Sequence, residues 1–192
     1  METIRAFIAI ELPPDIQTGL NRVLKQLAPA TKAVRWVPAA NIHLTLKFLG
    51  DTPVDKVEQL KNAIKIEALQ HEPFEIQAGT LGAFPSPRRP RVVWIGVQAP
   101  NELSELAEGI ETATIPLGFP SEGRPFSPHL TLGRVSQHAA QDEINKLADL
   151  LLKTQVGSLG TAKVTGVHFF RSDLRPCGAV YTSLFQADFK NL

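Results

Sequence analysis

The sequence has one cysteine, Cys177, so no disulfide can close within the chain, and this fits a reducing compartment. It also lacks any marked excess of charge, because 20 Lys and Arg against 19 Asp and Glu leave a formal net charge of +1. That excludes a whole-molecule field drawing the protein onto long nucleic acid or an anionic membrane, so any polyanion must be held locally. Long hydrophobic runs are missing too. The apolar stretch Ala6 to Ile10 is bounded by Arg5 and Glu11, far short of a secretory or membrane-spanning segment, and reads as a buried strand of a cytoplasmic protein. Low-complexity tracts are absent. What is present, 192 residues of which 43% are hydrophobic and 20% charged, suffices for one domain or two small lobes with a real core. Disorder and small disulfide scaffolds are excluded.

Hydrophobic periodicity predicts alternating strands and helices. Arg5 to Leu12 reads as a strand, and Pro13 and Pro14 then open a helix on Ile16, Leu20, Val23, Leu24 and Leu27. Ala33 to Val37 is a loop or short strand. Ile42 to Leu49 alternates polar His43, Thr45 and Lys47 with apolar residues, as a half-buried strand does. Thr52 and Pro53 look like the cap and first position of a second helix carrying Val57, Leu60 and Ile64. Strands follow at Phe74 to Ala78 and Arg91 to Val97, separated by Pro85 to Pro90, a segment too rich in proline for backbone pairing. Asn101 caps a helix with Leu103, Leu106, Ala107 and Ile110, and a Gly/Pro-rich loop spans Pro116 to Pro128. Then come a strand at His129 to Val135, a helix on Ile144, Leu147, Ala148 and Leu151, and strands near Ala162 to Phe169 and Ala179 to Phe185.

The order repeats. His43 and His129 are 86 residues apart, and the same offset carries Arg5 to Arg91, each heading an apolar strand that leads through a proline into a helix. Two copies of a strand-helix-strand-helix unit are too few and too long for a solenoid, so they are expected to face each other as lobes. The predicted fold is α+β: two pseudo-symmetric lobes of antiparallel sheet, helices outside and a central cleft, in one bilobal domain over residues 1–192.

The tetrapeptide His-Leu-Thr-Leu occurs at His43 to Leu46 and again at His129 to Leu132, where a shuffled chain of this composition would hold roughly 0.005 copies. In a strand the His and Thr share one face about 6.6 Å apart, while the leucines enter the core. Across a pseudo-twofold, two imidazoles and two hydroxyls meet in one cleft. One imidazole then takes a proton from water or a hydroxyl while the other, protonated, gives one to a leaving oxygen, since a pKa near 6.5 lets both forms coexist. Hydroxyls and cations stabilise the charge that builds on non-bridging phosphate oxygens. The scheme needs no metal or other cofactor, and His71, His138, His168 and Cys177 offer no zinc-ligand spacing with the motif histidines.

These motifs, the opening Arg5 to Pro13 (RAFIAIELP), the extended first motif His43 to Gly50 (HLTLKFLG), the central segment Arg91 to Val97 and the second motif within Arg124 to Arg134 (RPFSPHLTLGR) resemble the RNA 2′,3′-cyclic phosphodiesterase family. That family, also called 2′-5′ RNA ligase, belongs to the 2H phosphoesterase superfamily, and the resemblance runs over essentially the whole chain. It implies that His43 and His129 are catalytic and that Thr45 and Thr131 bind phosphate. It further implies that His43 protonates the departing 3′ oxygen while His129 activates water, yielding a 2′-phosphomonoester. In reverse, a 5′-hydroxyl in place of water gives ATP-independent 2′,5′ ligation. The substrates implied are RNA ends or oligonucleotides bearing a 2′,3′-cyclic phosphate, handled by a monomer.

The neighbours of the motifs are read less directly. Strict alternation points Arg134 away from the His face, but Gly133 can host a bulge that re-aims it, and the resemblance favours a phosphate or base contact. Lys47 is in phase with His43 and adds charge to the cleft or lies on its solvated rim. Phe126, in the loop before the second motif, is a better base-stacking candidate than Phe48, which is out of phase. Arg88, Arg89 and Arg91 form a basic cluster that tracks an RNA backbone or caps a solvated hairpin. Two other readings stay open: another cyclic phosphate substrate such as ADP-ribose 1″,2″-cyclic phosphate, and a non-catalytic nucleotide or RNA-binding module, against which both intact His-Thr pairs speak.

Overall fold

A computed structural model describes residues 2–175 and 178–190, leaving Cys177 outside the described residues. The first apolar run forms β1 (Thr3–Ile10), whose last five residues are all buried because both faces of the strand are covered. Pro14 opens α1 (Pro14–Leu27), with Asp15 in the first turn and Lys25 in the last, each matched to the helix dipole. The buried stripe of α1 is Ile16, Gly19, Leu20, Val23, Leu24 and Leu27. The short β2 (Val34–Trp36) precedes β3 (Leu44–Pro53), α2 (Val57–Ala68), β4 (Phe74–Ser86) and β5 (Arg89–Gln98). The second half continues with α3 (Asn101–Thr114), β6 (His129–Val135), α4 (Gln141–Lys153), β7 (Gly160–Val164), β8 (Gly166–Arg175) and β9 (Gly178–Asp188).

All the strands join one antiparallel sheet in the order β7-β4-β5-β6-β3-β1-β8-β9, with β2 attached to β6. Read outward from its middle, the sheet is β3-β1-β8-β9 on one side and β6-β5-β4-β7 on the other. The two lobes are thus pseudo-symmetric. They join at one residue pair, Leu44 opposite Leu130, 86 residues apart and both fully buried. An axis through that pair relates β1 to β5 and β3 to β6. The halves also interleave: α1 packs against β7 and α3 against β3, so each sequence copy lends a helix to the other's lobe. The main core lies between helices and sheet, while the opposite face carries a separate cluster of Phe7, Ala9 and Phe170 with Tyr181 beside it.

Four sequence expectations are corrected. Thr52 and Pro53 do not start α2 but end β3, because β1 pairs as far as Thr3 opposite Pro53 and keeps the chain extended. Asn101 is the first residue of α3, and Pro100, extended at φ −71° and ψ 174°, holds the cap position. The proline-rich Pro85 to Pro90 segment is mostly strand, with Pro85 opposite Pro90 and Ser86 opposite Arg89. There the hairpin projects past both neighbouring strands, so the missing N–H groups face no third strand. The stretch Ala162 to Phe169 is two strands. β7 pairs with β4 at one edge of the sheet, whereas β8 crosses to β1 in the other lobe.

Candidate active site

The buried Leu44 and Leu130 each stand between the His and Thr of one motif, so alternation turns His43, Thr45, His129 and Thr131 to the opposite face. In the antiparallel register around that pair, His43 lies across from Thr131 and Thr45 across from His129. The junction therefore gathers the four side chains around the pseudo-twofold axis.

Past each motif threonine the two strands carry the same irregularity. On β3, Ala9 pairs with Thr45 and Ile8 with Lys47, leaving Leu46 as an extra residue. On β6, Trp94 pairs with Thr131 and Val93 with Gly133, leaving Leu132 as the extra residue. A bulge puts two successive residues on one side and reverses the alternation beyond them. Lys47 is accordingly buried, contrary to its expected place on the His face, and its ammonium meets Glu111 Oε2 at 2.7 Å and the Pro120 carbonyl at 3.1 Å. Phe48 and Arg134 are swung onto the cleft face. Gly133 is required here, because a Cβ would lie 2.5 Å from Val34 Cγ1 and 3.0 Å from the Arg35 carbonyl on β2.

A cavity of about 280 Å³ opens on that face, with His43, Thr45, Thr131, Arg134, Phe48 and Arg5 among its lining residues. Among the described residues no carboxylate lines it. Its two guanidiniums, Arg5 and Arg134, and the hydroxyls of Thr45, Thr131, Ser172 and Tyr181 suit it to an anion, and Phe48 adds a flat ring. Phe48, the weaker stacking candidate by strict alternation, is 54% exposed and lines the cavity. Phe126 reverses the other way: it is half-buried, packs against the main core and does not line the cavity. His129 is not in the cavity wall either, but only Leu130 separates it from the lining residue Thr131.

The two imidazoles are held alike and covered differently. His129 Nδ1 lies 2.7 Å from the Ser127 carbonyl, which can only accept, so Nδ1 carries the proton and the neutral ring leaves Nε2 as a free base. His43 hydrogen-bonds the backbone of Asn41, the residue 86 positions before Ser127. Phe7 stacks on the His43 ring at 4.5 Å and 18°, Tyr181 meets it edge-on at 5.2 Å, and Phe170 lies behind Phe7 at 5.2 Å. Burial under these rings lowers the His43 pKa to about 4, with the Asn41 hydrogen bond opposing. His129 has a single edge-on ring, Phe84, at 5.0 Å. Burial raises the Tyr181 pKa, and the charges of Arg134 and Arg5 pull it back.

Sequence reasoning missed Phe7, Tyr181 and Arg5. They reach the site through the pairing of β1 with β3 and β8 and of β8 with β9, for which the sequence held no signal. Among the described residues no group of three or more His, Cys, Asp or Glu could hold a metal ion, and no helix is long and apolar enough to cross a membrane.

Comparison with known proteins agrees with the internal repeat. The model of the LigT-like phosphoesterase family matches residues 10–94 and again residues 95–181. An RNA 2′,3′-cyclic phosphodiesterase of Methanothermobacter thermautotrophicus is 36% identical over 181 residues, 94% of this chain and 96% of the relative. Another, from Archaeoglobus fulgidus, is 33% identical over 94% of this chain and 98% of its own. A crystal structure of E. coli LigT complexed with 3′-AMP superimposes with a TM-score of 0.77 at 27% identity, covering 99% of this chain and 100% of that one.

Proposed function

The chain belongs to the LigT-like phosphoesterase family, and from that premise we propose that it opens RNA 2′,3′-cyclic phosphate ends to 2′-phosphomonoesters by acid-base catalysis between His43 and His129. The observation that carries this reading is the twofold pairing of the His-Leu-Thr-Leu motifs at Leu44 and Leu130, beside a cavity with arginines and no carboxylate. Its relatives are named RNA 2′,3′-cyclic phosphodiesterase, which supports the opening of a cyclic phosphate. The interleaved halves support treating residues 1–192 as one bilobal domain.

In the mechanism, the cyclic phosphate lodges against the Thr45 and Thr131 hydroxyls with Arg134 neutralising a non-bridging oxygen. His129, with Nε2 free, takes a proton from water as the water oxygen attacks phosphorus. The P–O3′ bond breaks in line, and His43 delivers a proton to the departing 3′ oxygen. His43 is neutral at pH 7 in the free site, so the substrate must charge it. A phosphate anion within a few ångströms favours the imidazolium, and the burial that disfavours an isolated charge strengthens that attraction. Run in reverse with a 5′-hydroxyl as nucleophile, the same groups form a 2′,5′ linkage without ATP.

One observation favours a second reading: the lowered His43 pKa suits a base. With the roles exchanged and the ribose turned round, the product is a 3′-phosphate. Turnover of 2′,3′-cyclic AMP in excess EDTA tests the reaction itself, with sustained hydrolysis expected. A protein that binds the nucleotide without turnover would be a binding module.

A further inference from the structure

The arginines and lysines of this chain are distributed differently. Of ten arginines, seven lie on strands (Arg5, Arg35, Arg89, Arg91, Arg134, Arg171 and Arg175), whereas half of the ten lysines lie on helices. Four of the arginines and an aromatic ring fall on one strip of the second lobe. Arg134 on β6 pairs on one side with Arg35 on β2 and on the other with Val92 on β5, and Val92 pairs with Phe84 on β4. Directly opposed residues of antiparallel strands share a face, so Arg35, Arg134, Val92 and Phe84 form a single rung across four strands, about 14 Å long. Its face is the cleft face, because Arg134 lines the cavity and the Phe84 ring meets His129.

The rung continues outward. Phe84 pairs with Val92 and Pro85 with Pro90, leaving Arg91 as an extra residue that resets the phase of β5. Ser86 shares the face of Phe84, and Arg89 stands opposite Ser86, so the guanidinium of Arg89 joins the same strip, with Arg88 next to it in the turn. Arg35, Arg88, Arg89 and Arg134 are exposed, and none has an ion-pair partner among the described residues. Two guanidiniums placed directly opposite each other with no carboxylate between them repel, unless an anion lies against them. Of these four, only Arg134 lines the cavity that would take the cyclic phosphate. Arg35, Arg88 and Arg89 are left for further anions, and Phe84 offers a ring beside them.

Resting on the reaction proposed above, we infer that this strip is the docking surface for the single-stranded RNA chain on the 5′ side of the reacting nucleotide. Successive phosphates lie against Arg35 and the Arg88–Arg89 tip, and an unpaired base lies against Phe84. Spaced cations with an interposed ring suit a flexible single strand, whose phosphates and base faces are both accessible. The protein is accordingly an enzyme of oligonucleotide ends more than of free cyclic mononucleotides.

The test compares kcat/KM for a cyclic-phosphate-ended octaribonucleotide with that for 2′,3′-cyclic AMP, in the wild type, Arg35→Gln and the double variant Arg88→Gln/Arg89→Gln. Both variants are expected to lose about tenfold or more on the RNA and less than twofold on cyclic AMP. The salt slope of RNA binding should fall by about 0.7 for each phosphate contact removed. Equal losses on the two substrates, or no loss on either, would overturn the strip while leaving the reaction intact. If the wild type opens no cyclic phosphate, the reaction fails separately, and the strip is judged by affinity for a 3′-phosphorylated octaribonucleotide. A fivefold or greater weakening in the variants supports it, and an unchanged affinity overturns it.

Discussion

Phe48 and Arg134 stand 86 residues apart, each three residues beyond its motif threonine, and both line the same cavity because the same bulge precedes each. The duplication thus placed a ring at one symmetry-related position and a cation at the other. A symmetric scaffold has become an asymmetric cavity, with an aromatic ring on one wall and a guanidinium on the other.

The proton-transfer pair is the most direct consequence. His43→Ala and His129→Ala are each expected to lower kcat about a hundredfold or more on 2′,3′-cyclic AMP, with a native circular dichroism spectrum and melting curve. Thr45→Ala and Thr131→Ala should cost less, since a neutral hydroxyl contact is weaker than an acid or a base. Near wild-type turnover in either His variant would remove that residue from the mechanism.

Phe48 and Phe126 separate recognition from packing. Phe48 is exposed on the cavity, so Phe48→Ala should raise KM for cyclic AMP about tenfold with little change in stability, in line with one lost stacking contact. Steady-state kinetics beside a thermal melt distinguish this from a core role, in which the melt would move and KM would not.

The His43 pKa gives a pH window. Its value in the unfolded chain is near 6.5 and in the free folded protein about 4. Above pH 6.5 the ring is neutral in both states and costs nothing. As pH falls from 6.5 towards 4 the unfolded state binds a proton that the native state refuses, so this group's share of stability is lost across that interval. Proton NMR of the His43 ring should show titration near 4 in the free protein. Inorganic phosphate should shift it upward, and so should Phe7→Ala, which uncovers the ring. A titration near 6.5 in the free wild type would contradict the burial argument.

Lys47 serves the site from underneath. Its ammonium joins β3 to α3 at Glu111 and to the following loop at Pro120, and that loop leads into His129. Lys47→Ala leaves the partly exposed Glu111 without its partner and opens space in the core. Urea unfolding should show a loss of about 2–4 kcal/mol. A change below about 0.5 kcal/mol would mean that the buried ammonium contributes nothing to the fold.

Much of this was legible in the residues. Apolar spacing marked the four helices and the 86-residue offset exposed the duplication, while the lobe junction at Leu44 and Leu130, inside the duplicated motifs, became visible only in the strand pairing. Pairing that depends on distant strands was not legible. Nothing local tells Thr165 that β7 ends in one lobe and β8 begins in the other, or tells Pro85 that no third strand needs its missing N–H. The bulges are the sharper case. Leu46-Lys47 and Leu132-Gly133 look like unbroken alternation in sequence, yet an extra residue at each place exchanges the faces of the residues that follow, and β3 shifts register again at Leu49. Gly133 hinted at the second bulge, and no glycine marks the first.

Which oxygen leaves phosphorus distinguishes His43 as acid from His43 as base. In the proposed mechanism two imidazoles on opposite lobes serve one in-line axis for a ribose bound in one pose, so a single regioisomer is expected. Phosphorus NMR of 2′,3′-cyclic AMP incubated with the protein in EDTA should show 2′-AMP as the sole product. Predominant 3′-AMP, or an unchanged cyclic resonance, would contradict it.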